Sequence, residues 1–106
     1  MEKFYRIDFY VPSSHLEKVK GALFQTGAGK IGDYDSCCWQ VLGKGQFRPL
    51  PGSSPFIGEA MVFEYVEEYK VEMIFPVELK DKVILALKSA HPYEEPAYQL
   101  LEILVD

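Results

Sequence analysis

Met61, Phe63, Tyr65, Tyr69, Val71, Met73 and Phe75 share one parity, broken only by Glu67, so an apolar face stays in phase over residues 61 to 75. Alternation of period two is the signature of a strand with one buried face. At about 3.3 Å per residue, a straight strand of this length reaches roughly 50 Å. A compact chain of about 100 residues has a radius of gyration of only about 13 Å. The segment must therefore bend, turn back or project. A hairpin turning near Glu67 to Tyr69 is one solution, but the stretch lacks the Gly, Asn or Asp that a tight turn prefers. A single bent strand that leaves the domain and pairs with a neighbouring subunit is the expectation.

The elements around it follow the same logic. Tyr5, Ile7, Phe9 and Val11 alternate with Arg6 and Asp8, which predicts a first strand ended by Pro12. Ser14 and Glu17 have capping-box spacing ahead of Leu16, Val19 and Leu23, predicting a helix from about Ser14 to Thr26. Gly27 is placed to close it, and Gly21 within it predicts close packing. Cys37 to Leu42 reads as a second strand. Four Gly and three Pro residues between positions 43 and 58 predict that regular structure lapses there. Leu79, Val83, Leu87 and Ala90 mark a second helix that stops before Pro92. Ala97 to Val105 is apolar on both parities, so both its faces are expected to be covered, one by helices and one by another chain. The order is βαββαβ: one α+β ferredoxin-like sandwich over residues 1–106, an antiparallel sheet with two helices on one face.

Charge narrows the partners. A net charge of −5 disfavours nucleic acid, whose binding rests on Lys and Arg displacing counterions. No run approaches the roughly 20 apolar residues of a bilayer span, and the start MEKFYRIDFYV lacks the apolar region of a signal peptide. A cytoplasmic address with no membrane partner is expected. Cys37 and Cys38 are adjacent, and neighbours on a strand face opposite sides, which disfavours a disulfide or joint metal ligation.

Candidate chemistry concentrates at His91 to Pro96. HPYEEP places an imidazole, a phenol and two carboxylates beside a helix end. The prolines also fix the path into the last strand, and a histidine there suits the helix dipole, so a structural reading stands beside a ligand-contacting one. The ligand-contacting set is His91, Tyr93, Glu94 and Glu95, with Gly45 and Phe47 from the Gly/Pro-rich segment. The alternative is a divalent-metal set of His91, Glu94 and Cys37. Glu64, Glu68 and Glu72 share the polar face of the long strand and read as solvated. Gly27, Gly29 and Gly32 match the spacing of a dinucleotide loop, but a helix precedes them and a strand follows, the reverse of what phosphate binding needs. Trp39, Phe47 and Phe56 read first as packing aromatics and second as stacking platforms. No nucleophile, paired-carboxylate or cofactor motif is found, so neither an enzyme nor a cofactor is expected.

Taken together, Gly43, Gly45, Phe47, Pro49, Gly52, Pro55, Ile57, Gly58, the Glu-rich strand and HPYEEPAY resemble the insertion domain of YqfO-type members of the Nif-three-like family, over about residues 30 to 100. His91, Pro92, Tyr93, Glu94 and Pro96 also resemble the H-P-Y-E-x-P element of CutA proteins. The resemblance implies a PII- and CutA-like fold and a homotrimer, which would give the long strand its partner. It also implies that the family's dinuclear metal site lies in the halves flanking the insertion, which these 106 residues do not include. The expectation is a standalone, non-catalytic oligomeric module that binds a small ligand or a protein partner at intersubunit clefts.

Overall fold

A computed structural model describes residues 2–106. Four strands, Glu2–Pro12 (β1), Trp39–Phe47 (β2), Glu64–Pro76 (β3) and Tyr98–Val105 (β4), form one antiparallel sheet in the order β2-β3-β1-β4. The helices Leu16–Gln25 (α1) and Lys80–Ala90 (α2) are each entered through a single 3-10 turn after a proline that ends a strand. This is the expected βαββαβ sandwich.

One parity of each central strand builds the core. Ile7, Phe9 and Val11 of β1 and Val71, Met73 and Phe75 of β3 are buried with Leu16, Val19 and Leu23 of α1 and Val83 and Leu87 of α2. Full burial of such a side chain stabilises by roughly 1.5–3 kcal/mol. The cross-strand pairs Ile7↔Met73, Phe9↔Val71 and Tyr5↔Phe75 fix the register, since a slip of one residue would turn all of them outward.

The long apolar segment is one strand, not a hairpin, and it finds its partners within the chain. Residues 64 to 72 of β3 pair with β2, and residues 68 to 76 pair with β1. The strand runs nearly the length of a molecule measuring 47 × 23 × 21 Å. Beyond Glu68 it has β2 alone, so residues 43–47 and 64–68 form a two-stranded arm. Met61 and Phe63 keep the parity but lie outside the strand, because β2 ends at Phe47, opposite Glu64.

Several expectations need correction. The second strand begins at Trp39, leaves out both cysteines and continues through Gly43, Lys44 and Gly45 to Phe47. The capping box does not form: Ser14 Oγ is 2.8 Å from His15 Nδ1, and Glu17 instead pairs with Lys20 at 3.1 Å. Gly21 is not a packing contact, since a Cβ there would meet nothing within 4 Å. Gly27 does take the left-handed conformation after α1, with φ +102°. On β4, Leu101 and Leu104 are exposed in the single chain.

At the far edge, β4 pairs with β1 from Phe9↔Tyr98 to Glu2↔Val105, which sets the two ends of the fold side by side. The sheet face opposite the helices carries Arg6, Asp8, Lys70 and Glu72. Asp8 is 2% exposed there and receives two bonds from Arg6, at 2.8 and 3.0 Å, while Lys70 lies 3.3 Å from Glu72. Glu72 is therefore part of an ion cluster, not a free solvated charge. Among the described residues, no helix is long and apolar enough to cross a membrane.

Candidate functional site

The segment after α2 is pinned by His91. Helix α2 ends there because Pro92 bars continuation, and His91 N–H closes the last turn on Leu87 O at 2.9 Å. The imidazole turns inward, 6% exposed, and both its nitrogens are used. Nε2–H donates to Tyr10 O at 2.6 Å, and Nδ1 accepts from the Tyr93 N–H at 3.1 Å. Tyr10 lies one residue past the last β1·β4 pair, so the histidine continues the tie where the ladder stops. Burial lowers the His91 pKa; the bond to Tyr10 opposes that shift and the charge of His15 reinforces it. A proton on Nδ1 would also face the Tyr93 N–H donor.

Held this way, Tyr93 leans over the base of the arm. Its ring lies 6.2 Å from Phe47 and 6.3 Å from Phe56, and its hydroxyl donates to Glu68 Oε2 at 3.4 Å. These residues, with Tyr10, Arg48, Leu50, Glu94, Glu95 and Ser53, Pro55 and Ile57 of the loop after β2, line a pocket of about 420 Å³. Loop 48–63 forms its outer wall, closed by Met61 N–H on Pro49 O at 2.7 Å and tied to HPYEEP by Ser54 N–H on Glu94 Oε1 at 3.1 Å.

The electrostatics follow from burial. Burial raises the Glu68 pKa, with the Tyr93 hydroxyl bond opposing it. The Tyr93 phenol is pushed up to about 12, first by burial and then by the charge and bond of Glu68. Glu68 has room because Gly45, across the arm, carries no side chain: a Cβ there would collide with the Glu68 carboxylate.

The structure therefore brings Tyr93, Glu94, Glu95 and Phe47 together around the pocket, with His91 beneath and Gly45 behind Glu68. It does not assemble the set of His91, Glu94 and Cys37. Cys37 lines a separate depression with Arg6, Trp39 and Glu72, and its Sγ lies 3.6 Å from Asp35 O. Among the described residues, no group of three or more His, Cys, Asp or Glu is placed to share a metal ion. Glu68, Tyr10 and Arg48 are pocket residues that reading along the chain missed. Sequence alone marks Glu68 only by its shared parity with Glu64 and Glu72; the fold sets Gly43 opposite it and Gly45 beside its carboxylate.

No family model matches the chain. The GTP cyclohydrolase 1 type 2 homolog of Mycobacterium leprae is 44% identical over 95 residues, 90% of this chain and 25% of that protein. Its counterpart in Bacillus subtilis is 42% identical over 98 residues, 92% of this chain and 26% of that protein. The chain thus spans about a quarter of the length of the curated relatives it matches. Among solved structures, a Bacillus cereus protein related to NIF3 superposes with a TM-score of 0.83 at 39% identity, covering 96% of this chain and 26% of that one. CutA from Archaeoglobus fulgidus gives 0.69 at 18%, covering 97% and 86%, and GlnK from Bacillus subtilis gives 0.64 at 14%, covering 97% and 84%. The fold is that of the CutA- and PII-like α+β domains. Within that class the chain is similar to about a quarter of the GTP cyclohydrolase 1 type 2 homologs and of a protein related to NIF3.

Proposed function

We propose that this chain is a non-catalytic, self-associating module that holds a small ligand in the pocket at the base of the arm. The observation that carries the reading is the pocket itself: about 420 Å³, within the range of roughly 300–1,000 Å³ typical of small-molecule sites. Its aromatic walls and few polar groups match what such sites use for affinity and orientation. Self-association is supported by the sheet face that carries no helix, where Trp39, Val41 and Leu101 are exposed around the ion cluster. Further copies of the chain, bringing the same face around a common axis, are the occupants that suit a patch both apolar and internally charge-balanced. The trimer remains the expected order. The relatives' name refers to whole proteins about four times this length; for this segment we assign binding rather than that chemistry.

Native mass spectrometry and light scattering at micromolar concentration test the assembly. The expected mass is a small multiple of 12.1 kDa, and a strict monomer rejects it. An NMR screen of a small-molecule library tests the pocket. Hits are expected to shift Phe47, Phe56 and Tyr93 and to be lost in Tyr93→Ala. Hits that map elsewhere, or that survive the substitution unchanged, reject the ligand role.

A further inference from the structure

We propose that the pocket selects an organic cation, an ammonium head on an apolar or aromatic body. The proposal rests on the preceding assignment of a ligand site here and adds the chemical class. Three rings, Phe47, Phe56 and Tyr93, stand within 6.2 and 6.3 Å of one another through the central Tyr93. Ring faces attract a cation through their quadrupole, most strongly where water is excluded.

The charges point the same way. Three carboxylates, Glu68, Glu94 and Glu95, line the pocket against one guanidinium, that of Arg48. Arg48 is engaged elsewhere, its guanidinium 5.1 Å above the ring of Phe63. Glu68 differs from the two central acids of its sheet face, Asp8 and Glu72. Asp8 and Glu72 are paired with Arg6 and Lys70, whereas Glu68, among the described residues, has only the 3.4 Å bond from Tyr93. A half-buried carboxylate without a cation is a costly arrangement that a positively charged ligand relieves. The upward pKa shift of Glu68 from burial has the same origin. An anionic ligand would meet three like charges here, and a neutral one would leave Glu68 unpaired.

The test is an NMR titration of the isotope-labelled full chain with benzyltrimethylammonium, benzyl alcohol and phenylacetate, which share the ring and differ in charge. The cation is expected to shift Phe47, Tyr93 and Glu94 saturably, at least about tenfold more tightly than the other two, a difference of about 1.4 kcal/mol. Glu68→Gln is expected to weaken it about tenfold, and Tyr93→Leu, which keeps apolar bulk, to weaken it severalfold. Glu67→Gln makes the same charge change on the opposite face of β3 and is expected to leave binding unchanged. Equal binding of benzyl alcohol or phenylacetate in the pocket overturns the cation class while leaving a ligand site there. Equal effects of the Glu67 and Glu68 substitutions overturn the role of Glu68. No saturable shift with any probe also overturns the cation class, and the library screen then decides the pocket independently.

Discussion

Replacing His91 by Phe isolates what the buried imidazole contributes. The ring volume is nearly conserved, so little cavity energy enters. What is lost is the pair of bonds to Tyr10 O and from the Tyr93 N–H, at 2.6 and 3.1 Å, around a residue 6% exposed. Leaving each partner unsatisfied costs about 1–1.5 kcal/mol, so the variant should lose about 2–3 kcal/mol. For a domain of this size that is a fall in Tm of roughly 10–20 °C. Urea unfolding at neutral pH and fixed protein concentration measures it. The same residue sets a pH dependence. Its folded pKa lies below the ordinary 6.5, so the unfolded chain takes up the proton first. The stability His91 contributes is therefore complete above about pH 6.5 and is lost as pH falls from there through the folded value. Wild type should show that loss and His91→Phe should not. A variant within about 0.5 kcal/mol of wild type, well inside the spread of surface substitutions, would refute the clamp.

Three further outcomes follow from local geometry. Gly21→Ala should stabilise by about 0.5–1 kcal/mol in thermal or urea unfolding, because the site is a helix interior with open space around it; a loss would mean an unseen contact. Gly29→Ala should cost about 2–4 kcal/mol, since Gly29 has φ +77° and a Cβ there would lie 2.7 Å from Cys37 O and 2.9 Å from the Phe24 ring; near-neutral behaviour in the same assay contradicts that packing. Ultraviolet titration should find Tyr93 ionising near 12, and Glu68→Gln should move it down towards 10 without reaching it, because burial is the larger cause; no movement would exclude Glu68 as a neighbour.

The parts legible in the sequence are those where one period runs uninterrupted over a buried face. The alternation of Tyr5 to Val11 and the helical spacing of Leu79, Val83 and Leu87 place β1 and α2 closely. Parity alone cannot say where a strand loses its partner, which is why Met61 and Phe63 look like strand and are not. The reverse holds for Gly43 to Phe47: that stretch carries no apolar alternation, and only hydrogen bonding to residues 64–68 makes it extended. The site divides in the same way. Phe47, Tyr93, Glu94 and Glu95 stand out as aromatics and acids in proline-bounded turns. Glu68 reads as surface charge until β2 supplies a glycine beside it and the segment after α2 lays Tyr93 across it.

The pairing of Glu2 with Val105 has an architectural meaning. Facing residues of an antiparallel ladder lie about 5 Å apart, so the polypeptide enters and leaves this domain through what is almost a single point. A unit with that geometry can be spliced into a surface loop of a larger protein without prying its host apart. The relatives, in which about a quarter of the chain matches this fold, are proteins that such a doorway would permit.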